Sequence, residues 1–307
     1  MRLSYSTGFV LNNMNVGTFQ TKGWDFHIDG DILRTQGGFR FNVGLSLSHS
    51  ESLITYLPES VSEYYNAYTW NLGRNGVRVG TSLSNMTYYT FQRNKNGDVL
   101  INPSSGLPYL TSTWDNLGDR QEKLEGSIPI SASWKGFRLS ALFYGRFGAS
   151  IMNGTKYYLM NNAASMESVD LREGGPVIFD GVLKNGAENT NPTRNNIVVD
   201  FGIVGTLASS LGYEDWFEKD CNSVRLQEVR LGYNVPSKKI KQWTRNFISA
   251  ANIWVKGTDL VTWSNYSGLD PFGNFNSTAL GGFGGKGIDI WGIPNPRGLA
   301  FGIGLTF

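Results

Sequence analysis

Seven stretches of the chain alternate apolar residues with polar or small ones at a period of two. From 24 to 32 one face carries Trp24, Phe26, Ile28 and Ile32, and the other Asp25, His27, Asp29 and Asp31. From 39 to 47, Phe39, Phe41, Val43, Leu45 and Leu47 alternate with Arg40, Asn42, Gly44 and Ser46. The same pattern runs over 124–134, 137–147, 223–233, 247–255 and 297–307. Successive side chains of a strand point to opposite faces, so each stretch predicts a β-strand with one apolar and one polar face. In 223–233 the apolar parity slips after Leu226 and resumes at Val229, which predicts a β-bulge near Gln227 and Glu228.

The spacing of these strands is uneven. Short turns are expected at 35–38, 135–136 and 236–246. Long segments are expected at about 50–122, 149–222 and 258–296. Loops beyond about 15 residues are uncommon in compact soluble domains. Short turns on one side and long loops on the other is the plan of an outer-membrane barrel. Within the first long segment, Asn96-Gly97 between apolar runs signals a hairpin. The stretch 209–220 reads as one short helix.

The last residues, Leu299, Phe301, Ile303, Leu305 and Phe307, form an apolar face running to the final position. On a barrel this face meets lipid, and the strand serves as the recognition signal for barrel assembly. Composition agrees with β structure: of 307 residues, 38 are glycine and 13% aromatic, while only 17% are charged. A net charge of +2 points away from nucleic acid. No run is apolar for 18 residues, which excludes a spanning helix and leaves a barrel open. The opening residues contain no apolar stretch of signal-peptide type.

Three strings resemble signatures of one family. "SVRLQEVRLGYNVP" (223–236) resembles a Tyr-Leu-Arg-Leu strand leading to Leu-Gly-Tyr and Pro. "IWVKGTDLVTWSNYSGLDP" (253–271) resembles a block written V-x-G-x-N-L-x-T-W-x-x-Y-x-G-L-D-P. "GIPNPRGLAFGIGLTF" (292–307) is similar to a Tyr-Pro-x-Pro-Arg closing strand ending in Phe. Further upstream, 15–28 and 131–153 resemble two more strands of the same family in the same order. The family is the SusC/RagA-type TonB-dependent outer-membrane transporters of Bacteroidetes. Asp259 stands where the family has Asn, and Ile293 where it has Tyr.

The resemblance implies an all-β fold: the C-terminal portion of a large transmembrane antiparallel barrel, here about seven strands with three long extracellular loops. In the family the barrel has about 22 strands around a plug. The whole of 1–307 is expected to be barrel, with plug and signal peptide absent. The implied activity is import of oligosaccharides or peptides at the outer membrane. The implied partners are a SusD-like surface lipoprotein, TonB-ExbB-ExbD acting through the missing plug, the barrel-assembly machinery and outer-membrane lipid. Two other readings stay open on the residues alone: a small self-associating pore or adhesin, and a secreted carbohydrate-binding β protein.

No enzyme is expected, and no cofactor. Two histidines and one cysteine offer no zinc spacing. "GGFGGKG" (281–287) fails the phosphate-loop spacing. Aromatic clusters in the long segments offer faces for sugar or for a protein partner. Those of the third, Trp263, Tyr266, Phe272, Phe275 and Phe283, are the candidate ligand or partner contacts. Lys238, Lys239, Lys241 and Arg245 make the 236–245 turn basic, suited to lipid phosphate or to plain solvation.

Overall fold

The computed structural model describes residues 17–68, 73–173, 175–199, 213–273 and 285–307. Phe275, Phe283, Trp70 and most of the 281–287 glycine run lie outside these residues.

The first hairpin is β1 (Thr18–Arg34) and β2 (Arg40–Tyr56). The long segment after it holds β3 (Tyr64–Tyr68), β4 (Arg74–Val77), β5 (Asn85–Tyr88), β6 (Leu100–Ile101) and β7 (Asp115–Asp119). The second hairpin is β8 (Leu124–Trp134) and β9 (Phe137–Asn153). After it come α1 (Gly154–Asn161), α2 (Met166–Glu173) and β10 (Val182–Leu183). The third pair is β11 (Phe217–Val235) and β12 (Ala250–Ser264), with α3 (Ser237–Trp243) between them. The chain finishes with β13 (Ile288–Asp289) and β14 (Gly298–Thr306).

The seven expected strands form one antiparallel wall in the order β1-β2-β8-β9-β11-β12-β14. No closed barrel is formed by the described residues, because β1 and β14 each pair on one side only. The predicted bulge is present: the register of β11 shifts between Leu226 and Glu228 against both neighbours. β12 shifts there too, passing over Asp259 and Leu260. The slip keeps Val224, Leu226, Val229, Leu231 and Tyr233 on one face, opposite Phe143, Ala141, Leu139 and Phe137 of β9.

That face is apolar and exposed, with Trp24, Phe26, Ile28, Leu139, Leu231, Ile253 and Val255 among its residues. From Tyr233 to Val224 is nine steps. At about 3.3 Å each they make about 30 Å of strand. A tilt of about 40° reduces this to about 23 Å of height, close to the apolar band of a membrane barrel. Trp134, Phe137, Trp243, Phe247 and Phe307 lie exposed toward the turn end, where the Phe247 and Phe307 rings meet at 5.3 Å. Trp24 and Trp263 lie toward the other end, so rings flank the band on both sides.

The turns follow local chemistry. Lys135 and Gly136 both have positive φ, the requirement of a two-residue hairpin turn whose twist matches its strands. The Asn96-Gly97 hairpin also forms, with Asn94 N–H donating to the Asp98 carbonyl and only Gly97 at positive φ. Two expectations change. The third turn contains a two-turn helix, and β12 begins at Ala250, not 247. Arg245 and Asn246, both at positive φ, and the Thr244 hydroxyl accepting Ile248 N–H use 244–248 to reverse the chain. Of the helix expected at 209–220, residues 209–212 lie outside the described residues, Tyr213–Trp216 form a 3-10 turn, and from Phe217 the chain is already β11.

Above the wall the long segments fold together. β3, β4, β5 and β7 form a small sheet, and β6 pairs with β10 of the next segment. β13 pairs in parallel with the top of β9. One core joins them: Met86, Tyr88, Leu117, Met152, Tyr157, Met160, Trp216, Phe217, Ile288 and Ile290. β9 runs longer than the period-two pattern predicts because its upper end enters this layer, whereas β1 stays exposed along its upper end. There both faces are buried, and alternation is lost, as in Ala149, Ser150, Ile151 and Met152.

Candidate functional site

The polar face of the wall carries the charges. At its upper edge Arg225 of β11 is almost enclosed, with 6% of its side chain exposed. Its Nε donates to Thr262 Oγ1 at 2.9 Å, its Nη1 lies 3.4 Å from Asp259 Oδ1, and its Nη2 2.5 Å from Asp270 Oδ1. Asp270, at 8% exposure, also accepts the Phe272 N–H at 2.9 Å and the Asn295 N–H at 3.1 Å. One carboxylate therefore ties the third long segment to the wall at its outgoing and returning arms. Breaking such a pair strands a charge out of water, which costs far more than the pair itself contributes.

Phe272 lies on the same spot. The Arg225 guanidinium sits 4.3 Å from its ring centroid and that of Arg146 5.1 Å from it. Arg146 pairs with Glu122 at 3.2 Å, and Glu122 with Lys286 at 2.5 Å. Tyr144 donates to Glu125 at 2.7 Å. Charges at the top of the polar face are thus matched in a chain that reaches from β9 to the third segment.

Further up, Arg120 is fully buried and holds the first and third segments together. It donates to Asn75 Oδ1 at 2.6 Å, to the Ser84 carbonyl at 3.1 Å and to the Lys286 carbonyl. Burial pulls its pKa down to about 10, so it stays cationic at neutral pH. Glu63 accepts from Arg74 at 2.7 Å, Arg78 at 2.9 Å and Thr87 at 2.8 Å. Burial pushes this carboxyl up, but those hydrogen bonds outweigh it and hold it below its ordinary value. Asp289 accepts from Thr155 at 2.8 Å and Tyr266 at 2.7 Å. Burial first, then the Asp289 charge, pushes the Tyr266 phenol well up, so it remains a neutral donor.

The candidate contacts fall in different places. Trp263 is on β12, because the third segment starts after Ser264; its ring is exposed on the apolar face. Tyr266 is buried against Ile151 and Cys221. Phe272 lies beside the Arg225 and Arg146 guanidinium groups on the polar face. Of the other clusters, Tyr88, Phe91, Tyr157, Trp216 and Phe217 are core. His27 bonds Ser46 Oγ at 2.9 Å on the polar face. Among the described residues no three acidic, histidine or cysteine groups gather where a metal ion could sit.

On β14 and the residue that follows it, Leu299, Phe301, Ile303, Leu305 and Phe307 are each between 48% and 85% exposed, the alternate positions on the apolar side. The intervening glycines Gly302 and Gly304 each have a close neighbour on β12. A Cβ on Gly302 would lie 2.4 Å from Trp254 Cζ2, so the indole rests flat on the backbone of the closing strand.

Sequence reading singled out the strings that contain Arg225 and Asp270 but not the ion pair that joins them. The signal was present: an Arg at an inward strand position and an Asp before Pro271 in two motifs of one family. Asp259 takes φ +51, a conformation that Asn also tolerates, and its carboxylate adds to the Arg225 site.

No protein-family model matches the chain. Over 98% of its length it is 25% identical to TonB-dependent receptor P26 of Formosa agariphila, and 20% identical to receptor P3 of the same organism. It spans about 30% of the length of these relatives. The solved RagAB peptide transporter superposes over 100% of the chain with a TM-score of 0.65 and 20% identity. In its open-open state the RagAB peptide importer gives 0.67 at 19% identity, and the chain covers 31% of that structure's chain. These relatives are receptors and transporters, not enzymes.

Proposed function

We propose that the chain carries the C-terminal part of the β-barrel of a TonB-dependent receptor and forms a wall of an outer-membrane importer, a reading supported by its likeness to receptors P26 and P3 and to the RagAB fold. The observation that carries the reading is the wall itself: seven antiparallel strands, an apolar outer face, a polar inner face and two edges unpaired among the described residues. An unpaired strand edge in hydrocarbon leaves backbone groups without partners, so β1 and β14 need further strands of the same barrel. The polar face then lines the lumen, and the folded long segments stand at its extracellular mouth.

The cargo we propose is a bulky solute, an oligosaccharide or a short peptide, taken up with a SusD-like lipoprotein and driven by TonB-ExbB-ExbD through the barrel's plug. RagAB, whose fold the chain shares, is a peptide transporter. The Leu299–Phe307 face would present the signal to the assembly machinery and then meet lipid. Phe272 remains the proposed contact for cargo or lipoprotein, with Phe275 and Phe283 after it in the chain, whereas Tyr266 is covered and Trp263 lies on the apolar face.

The test is uptake in the producing bacterium. Deleting the gene should abolish accumulation of labelled peptides or of labelled oligosaccharides, and collapsing the proton gradient should do the same. Unchanged uptake of both classes after deletion would remove the proposal.

A further inference from the structure

Near the turn end of the polar face, β9, β11 and β12 line a hollow of about 350 Å³ with Arg138, Ser140, Arg230, Asn234, Asn252 and Trp254. Arg138 pairs in register with Gly232, and Arg230 with Ser140, so the two arginines are diagonal neighbours on one face. At such positions side chains of this length reach each other.

The donors in this hollow are held in place, and among the described residues no carboxylate forms an ion pair with either arginine. The Arg230 guanidinium lies 4.8 Å from the centroid of the Trp254 ring. That ring is fixed against Gly302. Asn252 Oδ1 accepts the Gly304 N–H at 3.2 Å, which leaves its Nδ2 as a donor. Glu228 is the one carboxylate among the lining residues, and it is taken by Lys256 at 3.1 Å. Neither the Arg138 nor the Arg230 guanidinium makes a hydrogen bond or ion pair with another described residue. The contrast with the upper edge is sharp, where Arg146 and Arg225 each have a carboxylate.

We propose that this hollow binds a carboxylate. Two planar guanidinium forks, an amide N–H and no free acceptor charge are suited to that group, which takes paired N–H donors in its own plane. The indole face beside them would pack the carbon chain that bears it. The carboxylate has two possible sources: a solute in the lumen, or an acidic side chain from elsewhere in the parent protein. The inference rests on the polar face being the lumen wall, as proposed above.

The experiment uses the purified full-length parent protein in detergent and radiolabelled glutarate in equilibrium dialysis at low salt. The comparison is between wild type, Arg138→Gln/Arg230→Gln, and Lys238→Gln/Lys239→Gln on α3 as a control for net charge. Saturable binding that weakens at least about tenfold in the double variant alone supports a solute carboxylate. No binding to wild type, with a melting temperature lowered in the double variant, restored by Arg138→Lys/Arg230→Lys and insensitive to the substitution at about 1 M salt, supports an internal one. No binding and no change in melting overturns the proposal. Binding needs no transport, so a failed uptake experiment and a failed binding experiment are separate results.

Discussion

Removing Asp270 isolates the strongest link between the third long segment and the wall. Asp270→Ala leaves the Arg225 charge 6% exposed, with Asp259 at 3.4 Å as its remaining carboxylate. It also leaves the Phe272 and Asn295 amides without their acceptor. Losing one partner of a buried pair costs about 3–5 kcal/mol. Asp259 lessens this, so about 3 kcal/mol is the working figure. The segment should then open about 150 times more often, since each 1.36 kcal/mol is tenfold. Limited proteolysis of the folded parent barrel reads this directly, because cleavage tracks the open population when reclosing is fast. Cutting between 265 and 297 should accelerate by that factor while the wall strands stay resistant. Arg225→Met should act alike, and the double variant Arg225→Met/Asp270→Leu should be cut more slowly than either single one. If the two single effects simply added in the double variant, within about 0.5 kcal/mol, the pair would not be what holds the segment.

Three other outcomes follow from the same structure. Gly302→Leu forces a side chain into the Trp254 ring, so the parent barrel should lose its heat-modifiable folded band on gels, whereas Ala300→Leu should fold better than it. Phe307→Lys places a charge on the apolar face beside Phe247 and should lower the amount of folded protein in the outer membrane severalfold, measured by fractionation and immunoblot. Glu63 is held below its ordinary pKa in the folded state, so its contribution is present above about pH 4.5 and lost as pH falls through the folded value. Proteolysis of the first long segment should therefore rise as the medium is acidified below pH 4.5, and Glu63→Gln should be labile already at pH 7 with a flatter pH profile.

The period-two pattern was sufficient to place all seven wall strands, their order of pairing through short turns, and the bulge after Leu226. The reason is that a membrane wall has two different solvents, lipid and water, and each residue must match the one it faces. The motifs were also legible, because Arg225, Asp270 and the closing Phe307 are single residues at fixed positions in recognisable strings. The long segments were not legible. Their strands are two to five residues long and their contacts join positions far apart, as Arg120 joins Lys286. Short elements carry too little periodicity to be read, and their burial depends on neighbours supplied by the other segments. That is why Tyr266, Tyr157 and Trp216 read as available rings but are core. The sequence by itself determined the wall, its two faces and its family resemblance. Only the tertiary structure decided which charges are paired, which rings are covered and which arginines face a hollow without a carboxylate partner. Pairing and burial are properties of contacts between distant residues, and those exist only once the chain is folded.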